Sequence, residues 1–149
     1  MTAFEIREEI GRDKAIKLFP NYQLVKSPDL FSHWDISGCT TNVAGETKEF
    51  LIEVKDRDIT SKSVPDIFME WYKYQELLKL SEANNDADIF YLSMFSDNIA
   101  YIYNLKKLKV SELVLEVRKV KKTTVEDSEI IDKLMVLLPF NKAQIKKLK

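Results

Sequence analysis

Residues 50–55, Phe-Leu-Ile-Glu-Val-Lys, form an apolar run that carries two charges at alternate positions near its end. On a strand, successive side chains face opposite ways, so Phe50, Ile52 and Val54 share one face and Leu51, Glu53 and Lys55 the other. The apolar trio is expected to pack under a helix, leaving Glu53 and Lys55 side by side on the opposite face. Residues 31–41 read as the preceding strand, with Gly38 as a bulge or kink. On it Asp35 shares a face with His33 and Ser37, while Trp34 and Ile36 point away. The turn-rich residues 42–47, which include Gly45, join the two strands as a hairpin. Asp35 then falls beside Glu53 only in one register, which the sequence leaves open.

The flanking pattern supplies the other elements. Thr2-Ala3-Phe4-Glu5 is a capping box opening a helix to about residue 17, with Phe4, Ile6, Ile10, Ala15, Leu18 and Phe19 on its apolar side. Glu9 sits at the edge of that side, either facing a site or solvated. Pro20 ends the helix, 22–26 is a short strand, and Ser27-Pro28-Asp29 is a turn. A polar loop follows Lys55, and Arg57 and Lys62 are its candidate phosphate contacts. Ser63 is expected to cap a broadly apolar helix over about 66–83, with Pro65 in its first turn. Glu70 and Lys73, three apart on that helix, either pair with each other or serve a nearby site. Residues 88–95 and 98–104 read as a hairpin whose Tyr101 and Tyr103 share a face, for packing or for stacking on bases. Residues 112–122 read as a strand; 130–138 fit either helix or strand, with a strand near 133–138 favoured and ending at Pro139, after which Asn141 caps a short lysine-rich helix.

Composition narrows the class. At 149 residues and 45% hydrophobic, the chain is long and apolar enough for one globular domain. Its core spans about 1–104 and a C-terminal extension about 105–149. The single cysteine, Cys39, allows no intramolecular disulfide. With no leader and no membrane span expected, this predicts a cytoplasmic protein. The net charge of −1 hides an asymmetry: residues 1–100 hold 11 Lys/Arg against 18 Asp/Glu, and residues 101–149 hold 12 against 6. Acid concentrated in one part suits a cation site, and a basic C-terminal part suits phosphates or simply solubility. Only three glycines are present, and none builds a phosphate loop.

Two carboxylates and a lysine on adjacent strands suit metal-assisted phosphoryl chemistry. Asp35 and Glu53 offer hard oxygen ligands for Mg²⁺ or Mn²⁺, and such an ion activates water and neutralises charge on phosphorus. Lys55 would orient the water or stabilise the developing oxyanion. His33, near Asp35, is a candidate acid–base or phosphate-contacting group, or a packing residue.

Asp35 with Glu53-Val54-Lys55 resembles the PD-(D/E)xK nuclease superfamily over roughly the first hundred residues. The resemblance implies an α/β fold with a restriction-endonuclease-like αβββαβ core: a mixed central sheet flanked by helices, here with a C-terminal β/α extension. It further implies a metal-dependent DNA endonuclease or related phosphodiesterase, with DNA as partner and the homodimer that is common among its members. In many members a first-helix Glu joins the metal site, for which Glu9 is the best match and Glu5 and Glu8 are alternatives. A polar residue on the helix after the Glu-x-Lys strand is often functional, a place that Glu70 or Lys73 fills. The run Glu53-Val54-Lys55-Asp56-Arg57-Asp58 with Glu70 and Lys73-Tyr74 also looks like small phage and bacterial members. No proline precedes Asp35, so half of the name's motif is absent. The alternatives are a nuclease-fold DNA-binding module that no longer cuts, and a phage or bacterial protein-interaction subunit.

Overall fold

A computed structural model describes residues 2–20, 22–27, 34–122 and 129–148. In chain order the elements are α1 (Ala3–Lys17), β1 (Gln23–Lys26), β2 (Ile36–Thr41), β3 (Thr47–Asp56), β4 (Ile67–Glu70), α2 (Trp71–Ala83), β5 (Asp88–Met94), β6 (Ile99–Asn104), β7 (Val114–Lys121), β8 (Ile130–Leu138) and β9 (Gln144–Lys147). Short 3-10 turns link several of them. The fold is mixed α/β. A six-stranded sheet runs β1-β2-β3-β5-β6-β9, and a second, three-stranded sheet runs β4-β8-β7. Within the larger sheet β3 and β5 are parallel and every other pair is antiparallel, so that sheet is mixed.

The side-chain alternation of β3 sets the layers. Phe50, Ile52 and Val54 are buried with Ala15 of α1, with Leu18 and Phe19 just after it, and with Leu92 and Met94 of β5. Leu51 enters a separate cluster with Tyr74 and Leu77 of α2, Ile89 and Tyr91 of β5, and Val136 and Leu138 of β8. Each large side chain so buried contributes roughly 1.5–3 kcal/mol. One helix therefore covers each face of the larger sheet, and the smaller sheet joins α2 on the face that carries Glu53 and Lys55. No described helix is long and apolar enough to cross a membrane.

The capping box at Thr2 forms as read, with the Glu5 N–H donating to Thr2 Oγ1 at 3.1 Å and the Thr2 N–H to Glu5 Oε2 at 2.6 Å. The buried stripe of α1 differs from the expected one. Ile6 and Ile10 are exposed, while Gly11, Arg12 and Ala15 are buried. A Cβ on Gly11 would stand 3.2 Å from Asp56 Cβ, so this glycine allows α1 to lie close on β3.

Three other expectations are corrected. Residues 67–70 are a strand and not the first turn of the long helix. Pro65 favours extended backbone before it, and Ile67 and Met69 alternate into the core while β4 pairs antiparallel with β8. Ser63 accordingly caps no helix, and its hydroxyl lies 2.7 Å from that of Thr60. The lysine-rich C-terminus is the edge strand β9 on β6, with Asn141 in a 3-10 turn. So short a segment gains more from pairing with an open sheet edge than from an isolated helical turn. Gly38 is no bulge, since the ladder runs through it, pairing with Leu24 on one side and Phe50 on the other. A Cβ there would fall 2.5 Å from the Gln23 carbonyl oxygen.

The C-terminal residues are not an appendage. β8 pairs with β4, and β9 pairs with β6. Tyr103 is buried and donates its hydroxyl to the Leu138 carbonyl at 3.3 Å, and Tyr101 packs on Phe95 and Phe140. Both tyrosines pack the fold.

Candidate active site

The β2–β3 register answers what the sequence left open. Ile36 pairs with Ile52, and Asp35 lies one residue before the start of β2. There the chain is leaving the ladder: the Asp35 N–H donates to the Ile52 carbonyl at 2.9 Å, and its carbonyl accepts the Ser27 N–H at 2.7 Å. The Asp35 carboxylate accepts the Val54 N–H at 2.7 Å, so it is fixed to the backbone between Glu53 and Lys55. Arg12 of α1 closes the other side. Its Nε and NH2 reach Asp35 Oδ1 at 3.1 Å each, and its NH1 donates to the Ser27 carbonyl at 3.0 Å. Arg12 is 2% and Asp35 5% exposed, so each supplies the counter-charge that makes the other's burial tolerable.

Glu53 is equally buried and pairs with Lys73 of α2. Burial pushes the Glu53 carboxyl up to about 8 despite the Lys73 ammonium, and the Asp35 carboxylate beside it adds to the rise. For Lys73 burial works against the charged form, but Glu53 outweighs it and the pKa is raised. Lys55 is half-buried, and desolvation with the nearby Arg57 and Lys73 cations lowers its pKa. Glu8 of α1 is also half-buried, and desolvation followed by the Asp35 charge raises its pKa. Among the described residues neither Lys55 nor Glu8 forms an ion pair or a side-chain hydrogen bond. Two closed pairs, Asp35–Arg12 and Glu53–Lys73, thus stand beside two open groups of opposite sign.

All of these but Arg12 line one cavity of about 560 Å³. Phe4 and Glu8 of α1 form one side. Asp35, Glu53, Val54 and Lys55 form the floor together with Tyr91. Phe68, Met69 and Glu70 of β4 and Val120, Lys121, Lys122, Lys133 and Met135 from the β7–β8 region form the facing wall. The cavity thus mixes carboxylates with Lys55 and Lys73 at its base and carries Lys121, Lys122 and Lys133 on its far wall, where Lys122 pairs with Glu129 and Lys133 with Glu70.

Of the residues singled out from the sequence, Asp35, Glu53, Lys55, Arg57, Glu70 and Lys73 all line this cavity. Their roles shift. Glu70 ends β4 and pairs with Lys133, whereas Lys73 pairs with Glu53, so the two do not pair with each other. Arg57 is committed to the wall: its Nε donates to Ser93 Oγ at 3.0 Å and its NH2 to Tyr91 Oη at 3.3 Å, and its guanidinium lies 5.5 Å from the Phe68 ring centroid. Lys62 is exposed in a 3-10 turn away from the cavity. His33 lies outside the described residues. Glu9 is not brought to the cavity: it bonds to Lys26 at 2.9 Å and lies 3.7 Å from Arg12, and Glu8 occupies the position expected of it. Sequence reasoning missed Arg12, Tyr91 and the three lysines. Phe4, Glu8 and Arg12 recur at four-residue spacing on α1, a helical signal pointing the same way as Gly11 and Ala15.

Asp35 and Glu53 are hard oxygen donors of the kind that holds Mg²⁺ or Mn²⁺, with Glu8 close enough to feel the Asp35 charge. No three His, Cys, Asp or Glu side chains form a ready metal-binding group among the described residues. The Asp35 charge and its hydrogen bond both raise the Glu53 pKa, and a divalent cation between the two side chains would offset that effect once Glu53 ionises. No protein-family model matches the chain, and no curated protein matches it either.

Proposed function

We propose that this chain is a metal-dependent phosphodiesterase that cleaves DNA, built on a restriction-endonuclease-like αβββαβ core of the PD-(D/E)xK type. The observation that carries the reading is that Asp35, from before β2, and Glu8, from α1, line the same cavity as Glu53 and Lys55 of β3. The order α1-β1-β2-β3, then α2 and β5, supports the core assignment, with β4 as an addition before α2.

Asp35 and Glu53 would hold Mg²⁺ or Mn²⁺, with Glu8 completing the acidic side. When bound, the ion supplies Lewis acidity and a water of lowered pKa. Lys55, unpaired and partly desolvated, is placed to orient that water and to balance charge on the phosphoryl oxygens. Lys73 keeps Glu53 oriented, and Arg12 does the same for Asp35. The lysines of the facing wall hold the flanking phosphates.

A second reading, a DNA-binding module that does not cut, draws on one specific feature. Arg12 and the Val54 amide already engage both oxygens of Asp35. One experiment separates the two. Native and heat-denatured plasmid are incubated with the protein and Mg²⁺ or Mn²⁺. The phosphodiesterase reading expects metal-dependent cleavage that falls about a hundredfold or more in Asp35→Asn, Glu53→Gln and Lys55→Met. Full activity in all three variants, or binding without any cleavage by the unaltered protein, rejects it.

A further inference from the structure

The facing wall is the part of the cavity that metal-dependent hydrolysis does not by itself require, and it constrains the substrate. The smaller sheet stands over the face of the larger sheet that carries Glu53 and Lys55. Its outer strands β7 and β4 are braced to each other. Arg118 of β7 reaches the Asp66 carboxylate, at 2.8 Å to Oδ1 and 2.5 Å to Oδ2, and lies 4.7 Å over the Phe68 ring. Arg57, from the end of β3, lies against the same ring. Phe68 thus meets two guanidiniums, and the Arg57 contact is the one that links the smaller sheet to the larger. Each such contact is worth about 0.5–2 kcal/mol, so the wall is held in place.

The space left beneath it, about 560 Å³, falls among pockets that enclose a single small ligand, roughly 300–1,000 Å³. Asp35 and Glu53, at its base, are 5% and 6% exposed. A paired duplex is a stiff cylinder and cannot readily reach carboxylates overhung by a second sheet without unpairing. A lone strand can. The lining also has the two components that sequence-tolerant single-strand binding uses: cations for the backbone and an apolar surface for a base. Lys121, at the end of β7, and Lys122, just past it, are exposed; Lys121 makes no ion pair among the described residues, and Lys122 pairs with the exposed Glu129 at 3.3 Å. Phe4 and Val120, both half-buried, supply the apolar surface, with Met135 buried beneath.

We propose that the site accepts a single nucleic-acid strand and excludes paired duplex, with Lys121 and Lys122 holding its phosphates at the cavity mouth and Phe4 and Val120 contacting a base. This rests on the phosphodiesterase reading of the same cavity.

The test uses the full chain with a fluorescent DNA oligonucleotide, either single-stranded or annealed as a blunt duplex. Affinity is measured with Ca²⁺ across a KCl series, and cleavage with Mn²⁺. The single strand is expected to bind at least about tenfold more tightly than the duplex, the worth of one stacked base, and to be cut preferentially. Lys121→Gln/Lys122→Gln, which alters only exposed side chains, is expected to lower the log–log salt slope for the single strand by roughly 1.4, from about 0.7 per phosphate contact. Duplex bound and cut as well as the single strand overturns the substrate class and leaves the phosphodiesterase reading standing. Single strand bound preferentially but never cut supports the substrate class and rejects that reading. An unchanged salt slope overturns the placement of the two lysines, and neither form bound nor cut rejects both.

Discussion

The Asp35 carboxylate accepts the Val54 N–H at 2.7 Å, which fastens the residue before β2 to the strand that carries Glu53 and Lys55. The contact fixes an acidic side chain between the other two members of the site, and Arg12 neutralises it from α1. Burying a lone carboxylate costs several kcal/mol, so the Arg12–Asp35 pair is a point of fragility as well as of order.

Arg12→Met is therefore expected to destabilise the protein by about 3–5 kcal/mol, since it strands the Asp35 charge and leaves the Ser27 carbonyl without its guanidinium donor. Asp35→Asn added to it should cost much less than the sum of the two single changes, because the charge it removes is already unpaired. Urea unfolding of the four proteins in the cycle measures this, and strict additivity would show that the pair is not coupled.

Glu8 and Glu9 should behave differently despite being neighbours. Glu8→Gln removes a half-buried carboxylate from the cavity and is expected to weaken metal affinity and cleavage without loss of fold. Glu9→Gln breaks part-exposed ion pairs with Lys26 and Arg12. It is expected to cost no more than about 1 kcal/mol and to leave cleavage intact. Parallel thermal melts and cleavage rates check both, and the reverse pattern would return the helix acid to Glu9.

The carboxyl of Glu53 also gives the protein a pH signature. Its pKa is raised in the fold, from 4.5 to about 8. Over that window the folded state binds a proton that the unfolded state has released, so stability falls as pH rises from about 4.5 through about 8. Glu53→Gln is expected to flatten the decline. Mn²⁺, which favours the ionised carboxylate, is expected to oppose it in the unaltered protein and to release protons on binding. Denaturation midpoints against pH, with and without Mn²⁺, provide the check, and a wild-type profile matching that of Glu53→Gln would remove Glu53 as its source.

The face split of β3 was legible in the sequence because it depends on adjacent residues alone: Glu53 and Lys55 interrupt an apolar run at the strand period. What depended on distant partners was not. Ile67 and Met69 fit a helix as well as a strand until β8, more than sixty residues later, is laid beside them. The exposed Ile6 and Ile10 gave α1 a misleading apolar stripe, and a stripe rotated by one residue exchanges Glu8 for Glu9. A buried arginine is the least expected occupant of a helix's inner face, and only the position of Asp35 explains Arg12. The basic C-terminal part divides: Lys121, Lys122 and Lys133 reach the cavity, while Lys146 and Lys147 sit on the edge strand β9. Charge counting alone does not make that separation.

The most direct measurement is a Mn²⁺ titration followed by the paramagnetic resonance signal of the free ion, because it needs no assumption about substrate. The unaltered protein is expected to take up Mn²⁺ at a saturable site, Asp35→Asn and Glu53→Gln to lose that uptake, and Lys55→Met to retain it while losing cleavage. No uptake by the unaltered protein, or uptake indifferent to both carboxylate changes, would contradict a metal centre at Asp35 and Glu53.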